Sequence, residues 1–455
     1  MPTPTASASA PAGGRDAALV RAVGTWGLAA GIVNVTIGGG IFRLPAGAAD
    51  ALGAAAPLAY VLCAVAMGLI VVCFAEAGSR VSLTGGLYAY VEVAFGPFLG
   101  FVTGVMLWAS MSAALAAVST FFADGLVALV PALGPGAGRA AALLLALAVL
   151  AWLNVRGVRG ASRFNAVMTV AKLLPLAVFV ALGAAAVSGA NLAVERAPTT
   201  DALARGGAFL LFAFLGVEAA LVPSGEVREP ARTVPRALFV AMLAVTLVYL
   251  AVHVVTQGIL GPALARSATP VADAAGAALG PAGRTMILVG STISMFGYVS
   301  GMTLGVPRIL YAFGRDGFLP AAFARIHPEF RTPHVAIVAQ ALLTAALALS
   351  GGFEQLALVA NGAGLLAYAA CVAAAWQLRR RDVRQGGGLP FRTPFGGVAP
   401  VLALLVIAFL LSGLTSREWV ALAVVAGLSV PAFFLARRRA GVESAGVDEP
   451  GVDTA

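Results

Sequence analysis

Apolar positions along this chain come in runs of roughly 16 to 34 residues, separated by shorter stretches rich in Gly, Pro and Arg. A helix that crosses a bilayer needs ~20 consecutive apolar residues. Breaking the pattern at the polar stretches predicts twelve spans, at about 24 to 47, 54 to 76, 97 to 130, 139 to 154, 164 to 188, 205 to 223, 236 to 260, 284 to 313, 334 to 351, 355 to 377, 397 to 414 and 418 to 436. The third and eighth runs exceed what a bilayer requires and are expected to tilt or protrude. Between the spans, TGGLYAYVEVAFG (84 to 96) and RDGFLPAAFARIHPEF (315 to 330) are amphipathic and predict short helices along the membrane face. The expected class is an all-α polytopic membrane protein.

Two of the runs are interrupted. The first reads AAGIVNVTIGGGIFRLPAGAA, with Gly38, Gly39 and Gly40 at mid-depth. Each glycine weakens a helix by about 1 kcal/mol relative to alanine, so three in succession favour an unwound turn. Unwound backbone is tolerated in a bilayer only where it faces protein or a water-filled cavity. There, free amides beside a half-helix N-terminus can hold an anionic group without a basic side chain. The alternative is a small-residue face for helix packing. The sixth run, FLLFAFLGVEAALVPSGEV, has Gly216 followed by Glu218, Pro223 and Gly225. An acid inside an apolar run is costly, which makes Glu218 a functional-site candidate. Gly39 and Gly216 are 177 residues apart (216 − 39), with four other spans between them. That spacing suits an inverted five-plus-five repeat, with its halves at about 24 to 188 and 205 to 377 and two added helices at about 397 to 436.

Composition strengthens the membrane reading. The hydrophobic set makes up 60% of residues and the charged set 11%, at a mean hydropathy of +0.94. A soluble domain carries about 25% charged residues, so this chain cannot clothe a water-facing surface. The net charge of +9 comes from 28 Arg and a single Lys, scattered between the apolar runs. In such a chain the charges report topology, and no nucleic-acid partner is expected. With the N-terminus placed inside, 21 arginines fall on the inner side, including Arg15, Arg21, Arg80, Arg308 and Arg379. Six fall outside: Arg139, Arg196, Arg205, Arg266, Arg284 and Arg417. The positive-inside rule then predicts that both termini are cytoplasmic, hence an even number of spans. Residues 1 to 20 are Pro/Ala/Ser-rich and predicted to be a disordered tail, followed by one transmembrane domain over 21 to 436 and a cytoplasmic tail over 437 to 455. A multi-pass protein of a bacterial cytoplasmic membrane is expected.

The remaining chemistry is sparse. Cys63, Cys73 and Cys371 all lie in apolar runs without metal-ligand spacing and are expected to be buried thiols. The three histidines, His253, His327 and His334, form no HExxH, and no GxSxG or phosphate loop is present. A membrane-embedded enzyme therefore lacks its machinery, and neither cofactor nor metal is expected. Lys172, in NAVMTVAKLLPLAVFV, lies nine residues past Arg163, or ~13 Å into the membrane at 1.5 Å per residue. Either it snorkels back to the interface or it serves as a titratable group, desolvated among Val170, Leu173 and Leu174, where arginine could not act. The second alternative makes it a candidate proton site.

Four segments, taken together, resemble the amino acid–polyamine–organocation (APC) superfamily of transporters. They are GGGIFRLP (38 to 45), FAEAGSRVSLTGGLYAYVEVAFGPFLGF (74 to 101), FAFLGVEAALVPSGEVREPARTVPRA (212 to 237) and PRILYAFGRDGFLPAAFARIHPEFRTP (307 to 333). The resemblance implies a leucine-transporter-like fold with helices one and six broken. It implies that Ile37, Gly38, Gly39, Gly40 and Ile41 bind a substrate carboxylate. It makes Phe212 an aromatic gate, and gives the carbonyls of Phe212, Ala213 and Leu215 to the substrate ammonium. Glu218 matches an acid implicated in proton coupling in the superfamily's arginine/agmatine antiporter. Lys172 matches a lysine that replaces a sodium ion in proton-coupled members, and it would bridge spans one and eight through carbonyls near Gly31 to Val35 and a hydroxyl such as Ser294 or Ser300. Ala114, Leu115 and Met302 would line an apolar side-chain pocket. Arg43 departs from the pattern, since many relatives are apolar there. The expected function is alternating-access secondary transport of L-amino acids, neutral and small or apolar, coupled to protons, with the lipid bilayer as surroundings. An exchanger, including one for cationic amino acids or amines, is the alternative; monomer and homodimer both stay open.

Overall fold

The computed structural model describes residues 21, 23–194, 197–350, 353–385, 388–394 and 396–445; the side chains of some helical residues, Phe212 among them, lie outside that description. Fifteen α-helices order the described chain. They are α1 (Thr25–Thr36), α2 (Gly40–Leu52), α3 (Ala56–Arg80), α4 (Leu87–Phe95), α5 (Pro97–Leu129), α6 (Arg139–Arg156), α7 (Val158–Gly183), α8 (Thr200–Leu211), α9 (Pro230–Leu260), α10 (Pro270–Gly305), α11 (Pro307–Arg315), α12 (His334–Ser350), α13 (Phe353–Arg380), α14 (Val398–Ser412) and α15 (Ser416–Ala445). Among the described residues, seven helical stretches are long and apolar enough to cross a membrane, and α12 and α14 are shorter apolar helices. The expected N-terminal tail lies outside the described residues, whereas α15 continues past the expected boundary at 436 to Ala445.

The helix ends follow local chemistry. Five helices, α3, α5, α9, α10 and α11, carry proline in the first turn, where its missing N–H costs nothing. Gly96, at φ 93°, turns the chain between α4 and α5, a conformation that a side chain resists. Outward faces are apolar: Leu145, Val170, Leu174, Leu342 and Leu428 are each more than 60% exposed. For a chain of this composition, that is the surface presented to lipid.

The core is built around α1, which packs against α7, α9 and α10, while α13 packs on α3, α4 and α5. Polar locks tie the helix ends. Glu76, fully buried, accepts from Arg80 Nε at 3.2 Å, from Arg379 and from Thr393 Oγ1 at 2.6 Å, joining α3 to the end of α13 and the chain beyond it. Arg80, placed by the sequence among the topology charges, is thus a buried structural group, and it donates to the Val383 carbonyl as well. Segment 84 to 96 also departs from expectation. It does form a helix, α4, but Leu87 to Val91 are buried, and the helix is part of the core instead of lying along the membrane face. Its tyrosines explain this: Tyr88 donates to Asp316 Oδ2 at 2.7 Å, and Tyr90 is paired with Ser224 Oγ at 3.0 Å.

Candidate functional site

The glycine triplet does break the first span. Helix α1 stops at Thr36, Ile37 leaves helical geometry at ψ 84°, and α2 starts at Gly40. The second break is longer. Helix α8 ends at Leu211, and the chain then runs through short 3-10 turns at Phe212–Phe214, Ala219–Leu221 and Ser224–Glu226, with Gly216 at φ 112°. A Cβ at Gly216 would stand 3.0 Å from the Val35 carbonyl oxygen, so both φ and close approach to α1 require glycine there.

The two breaks meet. Tyr249, from α9, directs its hydroxyl at the carbonyl of Thr36 (2.8 Å) and that of Ala213 (2.6 Å), one in each break. From the other side, Lys172 Nζ donates to the Asn34 carbonyl at 2.7 Å and the Ile37 carbonyl at 2.6 Å. Ser294 on α10 contributes its hydroxyl to the Ile37 (3.3 Å) and Gly38 (3.1 Å) carbonyls. The freed C=O groups of the first break are therefore capped by side chains from three neighbouring helices, as a low-dielectric site demands.

Lys172 is fully buried and points inward, so it does not snorkel. Its surroundings correct one expectation: Val170 and Leu174 are 68% and 62% exposed on the outer side of α7, and α1 and α10 bury the ammonium. Its contacts to the first span fall at Asn34 and Ile37, and Ser294 shares the Ile37 carbonyl with it. Ser300 instead donates to Asn165 Oδ1 at 2.7 Å. Glu218 is buried in the second break, where its Oε2 accepts the Gly216 N–H at 2.9 Å and the Tyr368 hydroxyl of α13.

The triplet is packed closely. A Cβ on Gly38 would lie 2.8 Å from the Tyr298 ring, one on Gly39 2.8 Å from the Phe121 ring, and one on Gly40 2.9 Å from Leu44. Tyr298, Phe121 and Met295 are thus immediate neighbours that the sequence did not single out. Ala114 and Leu115 are buried on α5 two turns before Phe121, and Met302 is buried on α10 one turn after Tyr298. Ala114 clusters with Ala113 and Ala360. Ile37, Ile41 and Ala213 are buried and Leu215 is half-buried. The side chain of Phe212 lies outside the described residues. Arg43 is exposed and holds its guanidinium 6.0 Å from the centre of the Phe121 ring, a cation–π distance.

Further polar residues, missed in the sequence, tie together the helices behind the site. Asn34 donates to the Gly297 carbonyl at 2.7 Å and towards Asn165 Oδ1 at 3.4 Å. Asn34 and Asn165 are amides within apolar runs, which was the available signal, whereas Tyr249 and Tyr368 gave none.

Comparison with known proteins identifies the family. A family model described as amino acid permease matches residues 23–434. The chain is 27% identical to a methylthioribose transporter of Bacillus subtilis over 440 residues, covering 93% of this chain and 95% of the relative. It is 26% identical to a branched-chain amino acid permease of the same organism, covering 88% and 89%. To that organism's serine/threonine exchanger it is 27% identical, covering 90% and 95%.

Proposed function

The chain belongs to the amino acid permease family of the APC superfamily, and from that premise we propose that it is a secondary active transporter of neutral L-amino acids, small or apolar in side chain, driven by protons through alternating access. Members of this family are transporters and not enzymes. In this reading the chain has twelve spans in a five-plus-five inverted repeat, both termini are cytoplasmic, and the broken segments at Ile37 to Ile41 and Phe212 to Leu215 hold the substrate. The amides of Gly38 to Gly40 take the carboxylate, the carbonyls of the second break take the ammonium, and Phe212 closes over it.

The observation that carries the reading is the meeting of two broken segments under one buried cation and one tyrosine. Lys172 caps the first break, and Tyr249 spans both. A binding event that competes for the Ala213 carbonyl would be felt at Thr36 through a hydroxyl that has only one proton to give. Substrate binding and rearrangement of α1 are thereby linked. Lys172 is the coupling group and Glu218, held by Tyr368, its rival.

Neutral substrates are favoured by the apolar or uncharged neighbours, Phe121, Met295, Tyr298, Ala114 and Leu115, and by the engagement of Glu218 with Tyr368 and the Gly216 amide. The names of two relatives, a branched-chain permease and a serine/threonine exchanger, point the same way. The second of these names also keeps exchange as the second reading. Radiolabelled uptake into proteoliposomes, competed by leucine, valine, alanine, serine, threonine, arginine and agmatine, tests the substrate class. Competition by neutral amino acids is expected; competition by arginine or agmatine alone would overturn it.

A further inference from the structure

Beneath Lys172, α7 presents Thr169 and Asn165 on the face that carries the lysine, at positions i−3 and i−7, so the strip spans about 10 Å at 1.5 Å per residue. Thr169 bonds to the Ala30 carbonyl of α1 at 3.1 Å. Asn165 Oδ1 receives Ser300 at 2.7 Å and lies 3.4 Å from Asn34 Nδ2, so α1, α7 and α10 each contribute one polar side chain to a single buried cluster. Asn34 is fully buried, yet its Oδ1 has no hydrogen-bond partner among the described groups. A buried amide oxygen without a donor keeps its desolvation cost unrepaid, which calls for a ligand at that point.

Gly297 packs closely against that oxygen. A Cβ there would be 2.9 Å from Asn34 Oδ1 and 3.1 Å from Lys172 Cε, so the bare face of this glycine is the place where the asparagine acceptor and the lysine side chain converge. At its other end the cluster opens on a narrow cavity of about 50 Å³, lined by Asn165 together with Gly31, Val35, Gly301 and Glu226. Such a cavity is large enough to hold water. Glu226 is paired with Arg308 at 3.2 Å.

We infer that Asn34, Asn165 and Ser300 form a water-holding path through which Lys172 exchanges its proton with the cytoplasmic side. This inference rests on the proton-coupled reading given above. The lysine ammonium has three N–H groups and two protein acceptors, Asn34 O and Ile37 O, and so has a donor to spare for water held at Asn34 Oδ1. In the step, one N–H bond of the ammonium breaks and its electron pair stays on nitrogen. The proton forms an O–H bond on that water to give a hydronium, which passes one proton to water in the cavity beside Asn165 and is left as neutral water, and the cavity water passes a proton on to the bulk. The ionisable groups on the elements packed against α7 are Tyr298, Asp273 and Arg284 on α10, Tyr249, His253, Arg232 and Arg236 on α9, and Arg139 and Arg156 on α6, while α1 contributes none. Glu218 and Glu226 belong to the second break. The path thus joins Lys172 to the cavity through neutral amides and a hydroxyl, with Glu226 the acid on the cavity wall.

The test uses the full-length protein in proteoliposomes with two readouts: leucine accumulation under an inward pH gradient, and leucine counterflow without one. Asn165→Leu is expected to lose the gradient-driven accumulation while retaining counterflow. Asn165→Ser, which keeps a hydroxyl and makes room for water, is expected to retain both. Undiminished gradient-driven accumulation in Asn165→Leu would overturn the path, and so would a loss of counterflow in both variants, which would make the residue structural. If the wild-type protein exchanges leucine but ignores the gradient, the proton-coupled reading itself fails, and the path fails with it.

Discussion

At the residue scale, the site is held by a few groups whose neighbours leave no room for change. Gly39→Val would push a branched side chain into Phe121 and Met295. Because the break is a local feature between two helices, the variant is expected to insert and fold while losing substrate binding, checked by scintillation proximity binding alongside size-exclusion elution. Unaltered affinity would remove the triplet from the site. Tyr249→Phe deletes the hydroxyl that serves the Thr36 and Ala213 carbonyls, and stranded buried carbonyls cost about 1 to 3 kcal/mol. Weaker binding together with a lower melting temperature is the expected outcome; a variant indistinguishable from wild type in both would show that the bridge is idle. Glycines in a row, an acid and a lone lysine were legible in the sequence because each breaks a rule for apolar spans. Tyr249 and Tyr368 were not, since a tyrosine in an apolar run is ordinary until its hydroxyl is seen to reach a particular carbonyl or carboxylate. Arg43 was legible only as a departure, and its cation–π partner, Phe121, is 78 residues away in sequence (121 − 43).

At the element scale, the irregular stretch after Gly216 is tied to both of its neighbours. Val23 pairs with it through Val23 N to Glu226 O (3.0 Å) and Arg228 N to Val23 O (2.9 Å), which joins it to the start of α1. Glu226 meets Arg308 of α11 in an ion pair less than 3% exposed on either side. Removing one partner of such a pair leaves a buried charge and costs about 3 to 5 kcal/mol. Arg308→Met is therefore expected to lower the melting temperature, and adding Glu226→Gln to recover part of it; a single variant as stable as wild type would show the pair to be solvated. The apolar pattern gave most helices close to their observed bounds, because each run must satisfy its own backbone, although α10 begins at Pro270 and not near 284. It failed at α4, where amphipathicity suggested a membrane face and a partner that buries the helix, Asp316, lies far along the chain.

At the scale of the whole molecule, α1 is held from both sides, by Lys172 on α7 and Tyr249 on α9, and in the proposed mechanism it is released when either contact changes. A cation that is part of the protein already caps the first break, so uptake is expected to be unaffected when sodium is replaced by choline. A strict sodium requirement would contradict the assignment. The central claim is that Lys172 converts a proton gradient into movement of substrate, and it is tested most directly by leucine accumulation in proteoliposomes with and without an imposed inward pH gradient, comparing the wild-type protein with Lys172→Ala. The account predicts that the gradient drives accumulation only in the wild type, while the variant still binds leucine. A Lys172→Ala protein that concentrates leucine as steeply as the wild type when the gradient is imposed would contradict it and pass the coupling role to Glu218.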